Sequence, residues 1–269
     1  MYQSDILSMY QTDIWRFVMK RQKIRKLLLT VSLLLFPITL YYFSPALIIN
    51  AALSGIINGS FIVFALMLLL SIPFGRLFCA YLCPAGGLQE CAFAINDRKP
   101  KQGWKNNIKY VIWGIWMSAV IFCYINSGKI TAIDFLYETE NGISVMSIQS
   151  YIIYYGIVCL IFIPSVLFGK RVFCHYFCWM APFMALGTKL RRLAHLPGLH
   201  IRVREESSCI SCGKCSKSCP MGIDVANDIK NGGIKSAECI QCGACIDNCP
   251  RKVLDYGVKE KYHGNGKKA

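Results

Sequence analysis

Four long apolar stretches alternate with short polar or basic connections over the first two thirds of the chain, at about 27–46, 56–74, 108–126 and 150–168. Each is near the ~20 residues that a helix needs to cross a bilayer. Apart from Lys109 at the start of the third, none contains Lys, Arg, Asp or Glu. One such stretch alone would also suit a buried helix of a soluble protein. Four in succession predict membrane-crossing helices. Pro37 and Pro73 sit in or near the ends of spans, where membrane helices tolerate a kink. Ahead of the first stretch, Ile6, Leu7, Tyr10, Ile14, Phe17 and Val18 fall near helical spacing, followed by Lys20, Arg21, Lys23, Arg25 and Lys26. Residues 1–26 therefore predict an amphipathic helix lying on the membrane surface. They do not read as a cleaved signal peptide, because the basic region lies too far in and no small-residue cleavage site follows the apolar run.

Charge adds an orientation. The connection between the second and third stretches holds Arg76, Arg98, Lys99, Lys101, Lys105 and Lys109, and Lys170, Arg171, Lys189, Arg191 and Arg192 follow the fourth. The first connection has no basic residue, and the third has only Lys129 beside Asp134, Glu138 and Glu140. The positive-inside rule then places both termini in the cytoplasm of a multi-pass protein of the cytoplasmic (inner) membrane. The chain of 269 residues has a net charge of +15 although 54% of its residues are hydrophobic. Basic charge beside apolar spans points to anionic lipid head groups as a partner and not to nucleic acid.

The last third carries the chemistry. Cys209, Cys212, Cys215 and Cys219 read C-x2-C-x2-C-x3-C and end on Pro220; Cys239, Cys242, Cys245 and Cys249 repeat this thirty residues later and end on Pro250. That spacing is the bacterial signature for two [4Fe–4S] clusters, in which the fourth cysteine of each copy serves the other cluster. Cys209, Cys212, Cys215 and Cys249 are thus expected to hold one cluster, and Cys239, Cys242, Cys245 and Cys219 the other. Gly213 and Gly243 suit a backbone curling tightly around them. Structural zinc needs only paired cysteines and leaves the third cysteine and the Cys-Pro ending without a role. Fifteen cysteines, an odd number, with two such frameworks fit a reducing compartment and not a disulfide scaffold.

A second set of cysteines lies nearer the membrane. Phe74-Gly75-Arg76-Leu77-Phe78-Cys79-Ala80-Tyr81-Leu82-Cys83 follows the second stretch. Phe168-Gly169-Lys170-Arg171-Val172-Phe173-Cys174-His175-Tyr176-Phe177-Cys178 follows the fourth, with both cysteines shifted by ninety-five residues. The membrane part therefore reads as a duplication in which each half ends in C-x3-C. A two-fold arrangement would gather four thiolates at one membrane edge. Three readings of Cys79, Cys83, Cys174 and Cys178 stay open: a further Fe–S cluster, thiol–disulfide exchange, and inert packing. Cys91, Cys123 and Cys159 have no partner pattern and read as inert. His175 reads as a polar tip near water. No span contains a histidine pair for haem b, and no C-x-x-C-H attaches haem c.

The phrase Gly75-Arg76-Leu77-Phe78-Cys79-x3-Cys83-Pro84, its repeat, and the C-terminal cysteine frameworks together resemble the NapH/NosR-type membrane polyferredoxins. The resemblance covers about 27–258. It implies an electron-transfer subunit passing electrons between a cytoplasmic donor or the quinone pool and partner redox subunits that carry haem, flavin or Fe–S groups. Two departures stand out. The second pair continues Trp179-Met180-Ala181-Pro182, which displaces the proline, and the outer connections are too short for the flavin domain of the longer relatives.

The expected fold is an α-helical membrane protein of four transmembrane helices with a two-fold internal repeat, joined to a small α+β dicluster ferredoxin domain. Its divisions are 1–26, the membrane domain 27–187, a basic linker 188–204, the ferredoxin domain 205–258 and a polar, disordered tail 259–269. No group of residues suggests bond-making catalysis, so the chain reads as an electron-transfer component of an oxidoreductase complex. Copper reduction in oxidase assembly, or a thiol–disulfide relay through the C-x3-C pairs, are the alternatives.

Overall fold

The computed structural model describes residues 21–100, 103–234 and 236–258. Residues 1–20 of the segment expected to form a surface helix (1–26), and the tail expected to be disordered (259–269), lie outside the described residues.

The first apolar stretch is not one straight helix. Helices α1 (Arg21–Leu34) and α2 (Phe36–Phe43) meet at 61°. Pro37 lacks an N–H and its ring crowds the carbonyl four residues back, which breaks the ladder there. Helix α3 (Pro45–Leu53) follows, capped by Ser44, whose Oγ accepts the Leu47 N–H at 3.4 Å. The second stretch divides into strand β1 (Ile56–Asn58) and helix α4 (Gly59–Phe74). Asn58 makes the division: its Oδ1 accepts the Phe61 N–H at 3.0 Å and its Nδ2 donates to the Leu47 carbonyl at 2.9 Å. With 16 residues, α4 is ~24 Å long, shorter than the ~30 Å hydrocarbon core.

Helices α7 (Ile108–Ser127) and α8 (Ile148–Phe168) belong to the segments long and apolar enough to cross a membrane, and the bent α1–α2 pair makes a third if counted as one span. Ile115, Ile125, Ile148 and Ile152 stand outward on them, fully in keeping with contact to lipid. Strand β2 (Ala132–Asp134), between α7 and α8, pairs in parallel with β1, Ile56 opposite Ala132.

The duplicated phrases fold alike. Helix α4 leads to α5 (Leu77–Tyr81) and α6 (Pro84–Cys91), and α8 leads to α9 (Val172–Tyr176) and α10 (Ala181–Leu193). The halves are interlocked: α10 packs on α4, and α6 packs on α8. Gly187 permits the first of these contacts, because a Cβ there would meet Ser71 Oγ and would lie 2.8 Å from the Leu68 carbonyl. Gly187→Val is expected to cost ~1–3 kcal/mol by overpacking. Gly156→Ala on α8, where a Cβ meets nothing within 4 Å, is the neutral control; thermal unfolding in detergent compares them.

The expected linker at 188–204 is largely ordered. Helix α10 continues through it to Leu193 with Thr188 and Arg191 buried. Strand β3 (His200–Val203) then pairs antiparallel with β4 (Leu254–Gly257). Backbone bonds from Gly198 to the Val258 carbonyl and from Leu199 to the Pro73 carbonyl, both 2.7 Å, tie down what lies between. Pro197 and Gly198 therefore mark a bend in a fixed connection. Between β3 and β4 lie α11 (Lys214–Ser218), α12 (Val225–Lys230) and α13 (Ala244–Asp247).

The basic segment before the first stretch also departs from expectation. Arg21 pairs with Asp247, Gln22 donates to the Cys242 carbonyl at 3.0 Å, and Arg25 grips Glu90 at 2.7 Å. Arg21, Gln22 and Arg25 thus hold protein to protein, while Lys23 and Lys26 stay exposed.

Candidate iron–sulfur centres

Two loops of the C-terminal module curl in the same way. Ser211 and Gly213 have φ of 52° and 70°, and Gln241 and Gly243 have 57° and 74°. Left-handed backbone on both sides of each middle cysteine turns the chain back on itself. Cys209, Cys212 and Cys215 then line one cavity together with Cys249 of the other motif. Cys239, Cys242 and Cys245 line a second together with Cys219. Each cavity thus takes three cysteines from one motif and one from the other.

Apart from Gln241 the rest of the second cavity is apolar, with Ile201, Met221, Ile223 and Ile240 in its wall. Burial pushes the Cys219 thiol up to about 11 and Cys239 up to about 12. Such thiols ionise only when a metal takes the place of the proton. Backbone N–H groups are already directed at the sulfurs: Gln241 donates to Cys239, Ala244 to Cys242, and Met221 and Ile223 to Cys219. Donors in this position stabilise the anionic sulfur of a bound cluster. Among the described residues, no three His, Cys, Asp or Glu side chains converge tightly enough for a single metal ion. Four cysteines spread around a cavity suit a polyatomic cubane better than zinc.

The C-x3-C pairs also come together. Cys79, Cys83, Cys174 and Cys178 are all buried in one core with the ferredoxin cysteines Cys219 and Cys242. The Cys178 thiol donates to the Cys174 sulfur, which lowers Cys174 to about 6 and raises Cys178 well above the ordinary thiol range. Gln89 Nε2 donates to Cys174 Sγ at 3.1 Å, and Cys79 Sγ meets Met184 Sδ at 3.8 Å. Burial raises Cys79 and Cys83, and each of them feels Cys174. Cys91 and Cys159 are exposed, and Cys123 lies buried on α7.

Charged groups that motif reading missed surround this site. Glu238, next to Cys239, bridges Arg76 Nη1 at 2.9 Å and Lys109 Nζ at 2.5 Å. Burial alone would raise its carboxyl, but Arg76 and Lys109 hold it at about 2. Glu90 bridges Arg171 at 2.6 Å and Arg25 at 2.7 Å. His175 is not a tip in water. It is 0% exposed, with Nε2 against the Met221 carbonyl at 2.9 Å, and burial lowers it to about 4 so that it stays neutral. The one signal of this in the sequence was the repetition of a base three residues before the first cysteine of each pair.

A model described as a 4Fe-4S dicluster domain matches residues 201–250, and one described as a 4Fe-4S binding domain matches twice, at 59–105 and 152–197. Among curated proteins, the uncharacterized protein MJ0750 of Methanocaldococcus jannaschii is 22% identical over 189 residues, 66% of this chain and 72% of its own. "Putative electron transport protein YccM" of Escherichia coli is 23% identical over 192 residues, 66% of this chain and 50% of its own. No solved structure matches the chain significantly. These similarities support iron–sulfur electron transfer: a 4Fe-4S dicluster module, two further 4Fe-4S binding segments, and a distant likeness to a protein named for electron transport.

Proposed function

We propose that this chain is a membrane-bound iron–sulfur relay. Cys209, Cys212, Cys215 and Cys249 hold a first [4Fe–4S] cluster, Cys219, Cys239, Cys242 and Cys245 a second, and Cys79, Cys83, Cys174 and Cys178 a third centre at the membrane edge. Bound there, the clusters supply one-electron transfer without making or breaking covalent bonds in a substrate. The chain's own residues bind them, exclude water and set their distance and potential.

The observation that carries this reading is that cysteines of all three sets fall in or against one buried core. The first set reaches the surface at the exposed Cys212. The second faces inward: Cys239 feels Arg76, and Cys242 feels Arg25, Glu90 and Arg171. Arg76 and Arg171 also bear on the cysteines of the third set. Electrons would thus enter or leave through the first site from a cytoplasmic redox partner, with the second between it and the membrane edge. All three sets lie on one side of the apolar helices. A hydrocarbon core of ~30 Å then requires a mobile quinone or a partner subunit beyond the third site. In this reading α4 and the α1–α2 pair complete four crossings, and both ends of the chain face the cytoplasm, as the loop charges suggest. Full burial of the four membrane-edge sulfurs speaks against a thiol relay, whose cysteines must meet an exchanging partner.

Chain purified without oxygen is expected to be brown and to bleach with dithionite. Cys219→Ser is expected to alter the same electron paramagnetic resonance signal as Cys239→Ser, and Cys249→Ser the same signal as Cys209→Ser. Colourless material free of acid-labile sulfide would overturn the relay. Signals grouped by motif instead of across motifs would overturn the crossed ligand sets.

A further inference from the structure

Two guanidinium groups flank the membrane-edge cysteines at matching places in the repeat. Arg76 precedes Cys79 by three residues, and Arg171 precedes Cys174 by three. Burying them is costly, and they are 1% and 0% exposed. Arg76 uses Nη1 on Glu238 and on the Ala237 carbonyl at 3.1 Å. Arg171 uses Nη2 on Glu90 and Nη1 on the Cys79 carbonyl at 2.7 Å. Nε and Nη2 of Arg76 and Nε of Arg171 are buried and make no well-formed hydrogen bond, although Arg76 already leans on the Cys79 sulfur. Orphaned donors of this kind call for an explanation.

The local charge poses the same question. Among the described residues, Arg25, Arg76, Lys109 and Arg171 pair with two carboxylates, Glu90 and Glu238, so apart from the cysteine sulfurs this group of charges carries an excess of two. An oxidised four-iron cubane on four cysteine thiolates carries a formal charge of two minus, from a doubly positive core and four thiolates. It matches the excess in sign and size, and its sulfurs are acceptors for the orphaned N–H groups.

We infer that Arg76 and Arg171 are the positioning residues of the membrane-edge centre, donating to its sulfurs and holding its reduction potential above those of the two ferredoxin centres. The inference rests on the reading above that Cys79, Cys83, Cys174 and Cys178 bind a cluster. Reduction adds a negative charge, and buried cations and hydrogen bonds favour the more negative state. The ferredoxin cavities have less of this: Arg76, Arg25 and Arg171 bear on Cys239 and Cys242 only from beyond the wall of the second cavity. No Lys or Arg lines the second, and only the exposed Arg251 lines the first. Electrons given to the ferredoxin module would run downhill to the membrane edge.

The test is a redox titration of the full chain followed by electron paramagnetic resonance, with iron and acid-labile sulfide counted in the same samples. Arg171→Gln is expected to lower the midpoint of the membrane-edge signal by at least a tenfold change in its oxidised-to-reduced ratio, about 59 mV for one electron. The ferredoxin signals are expected to move less. Arg171→Lys keeps the charge and loses the fork, so a smaller fall with full iron content is expected; it also serves if the glutamine variant sheds the cluster. Arg76→Lys is expected to act in the same direction. A midpoint unmoved in both Arg171 variants, or a fall shared equally by the ferredoxin signals, would overturn the inference. Wild-type iron of only about eight per chain, insensitive to Cys174→Ser, would instead remove the membrane-edge cluster itself.

Discussion

Glu238→Gln is expected to destabilise the chain by about 3–5 kcal/mol, the usual cost of breaking a buried ion pair from one side. Glutamine keeps the shape of the side chain and removes its charge. Arg76 and Lys109, with side chains 1% and 0% exposed, then face each other without an anion. The pairings span 162 and 129 residues of sequence, so the loss falls on the junction between ferredoxin module and membrane helices. Chemical unfolding in detergent measures the cost, and protease cleavage within 194–199 reports whether the junction opens. Glu205→Gln, on the exposed start of the module, is expected to stay within about 0.5 kcal/mol of the parent. A Glu238→Gln chain as stable as that control would contradict the role given to the junction. The sign of the pH dependence follows. The carboxyl is held at about 2 in the fold against an ordinary 4.5, so its contribution is complete above the ordinary value. It is lost as the pH falls from there through about 2.

Cys174→Ser is expected to remove about a third of the iron, four of roughly twelve atoms if three four-iron centres are present. Cys174 is the sulfur on which the site converges. Gln89 and Cys178 both donate to it, Arg171 and Arg76 both act on it, and its thiol is lowered to about 6. The same loss is expected from Cys79→Ser on the other half of the repeat. Cys91→Ser, exposed and outside both pairs, is expected to leave the iron unchanged. Iron and acid-labile sulfide per chain are the readout, with the ferredoxin resonance signals as the internal control. Unchanged iron in both pair variants would leave the thiol or copper readings of these cysteines standing instead.

Much of the candidate chemistry was legible in the order of residues because it is local. A C-x2-C-x2-C-x3-C loop fixes which sulfurs can reach one cubane within a dozen residues of backbone, and its second copy lay in plain view. The apolar stretches and the repeated C-x3-C phrase were equally visible, since length and internal similarity are properties of the chain itself. Element boundaries were less so. The break at Leu35 and the turn of Ile56–Asn58 into a strand depend on Pro37, Asn58 and the distant partner β2, none of which alters hydropathy.

What only the tertiary structure decided is how charge is distributed. Arg25, Arg76 and Lys109 read as cytoplasmic loop charges, and His175 as a wet polar tip, because burial of an ionic group leaves no periodic trace. Their carboxylate partners lie 65, 162 and 129 residues away. The interlocking of α10 on α4 and α6 on α8 likewise joins the two C-x3-C pairs through contacts no local spacing encodes. Ligand geometry is carried by the covalent chain over a few bonds, whereas compensation of buried charge is a demand of the folded interior as a whole. For this protein the sequence by itself named the cysteines, and the fold alone assembled the electrostatic setting in which they sit.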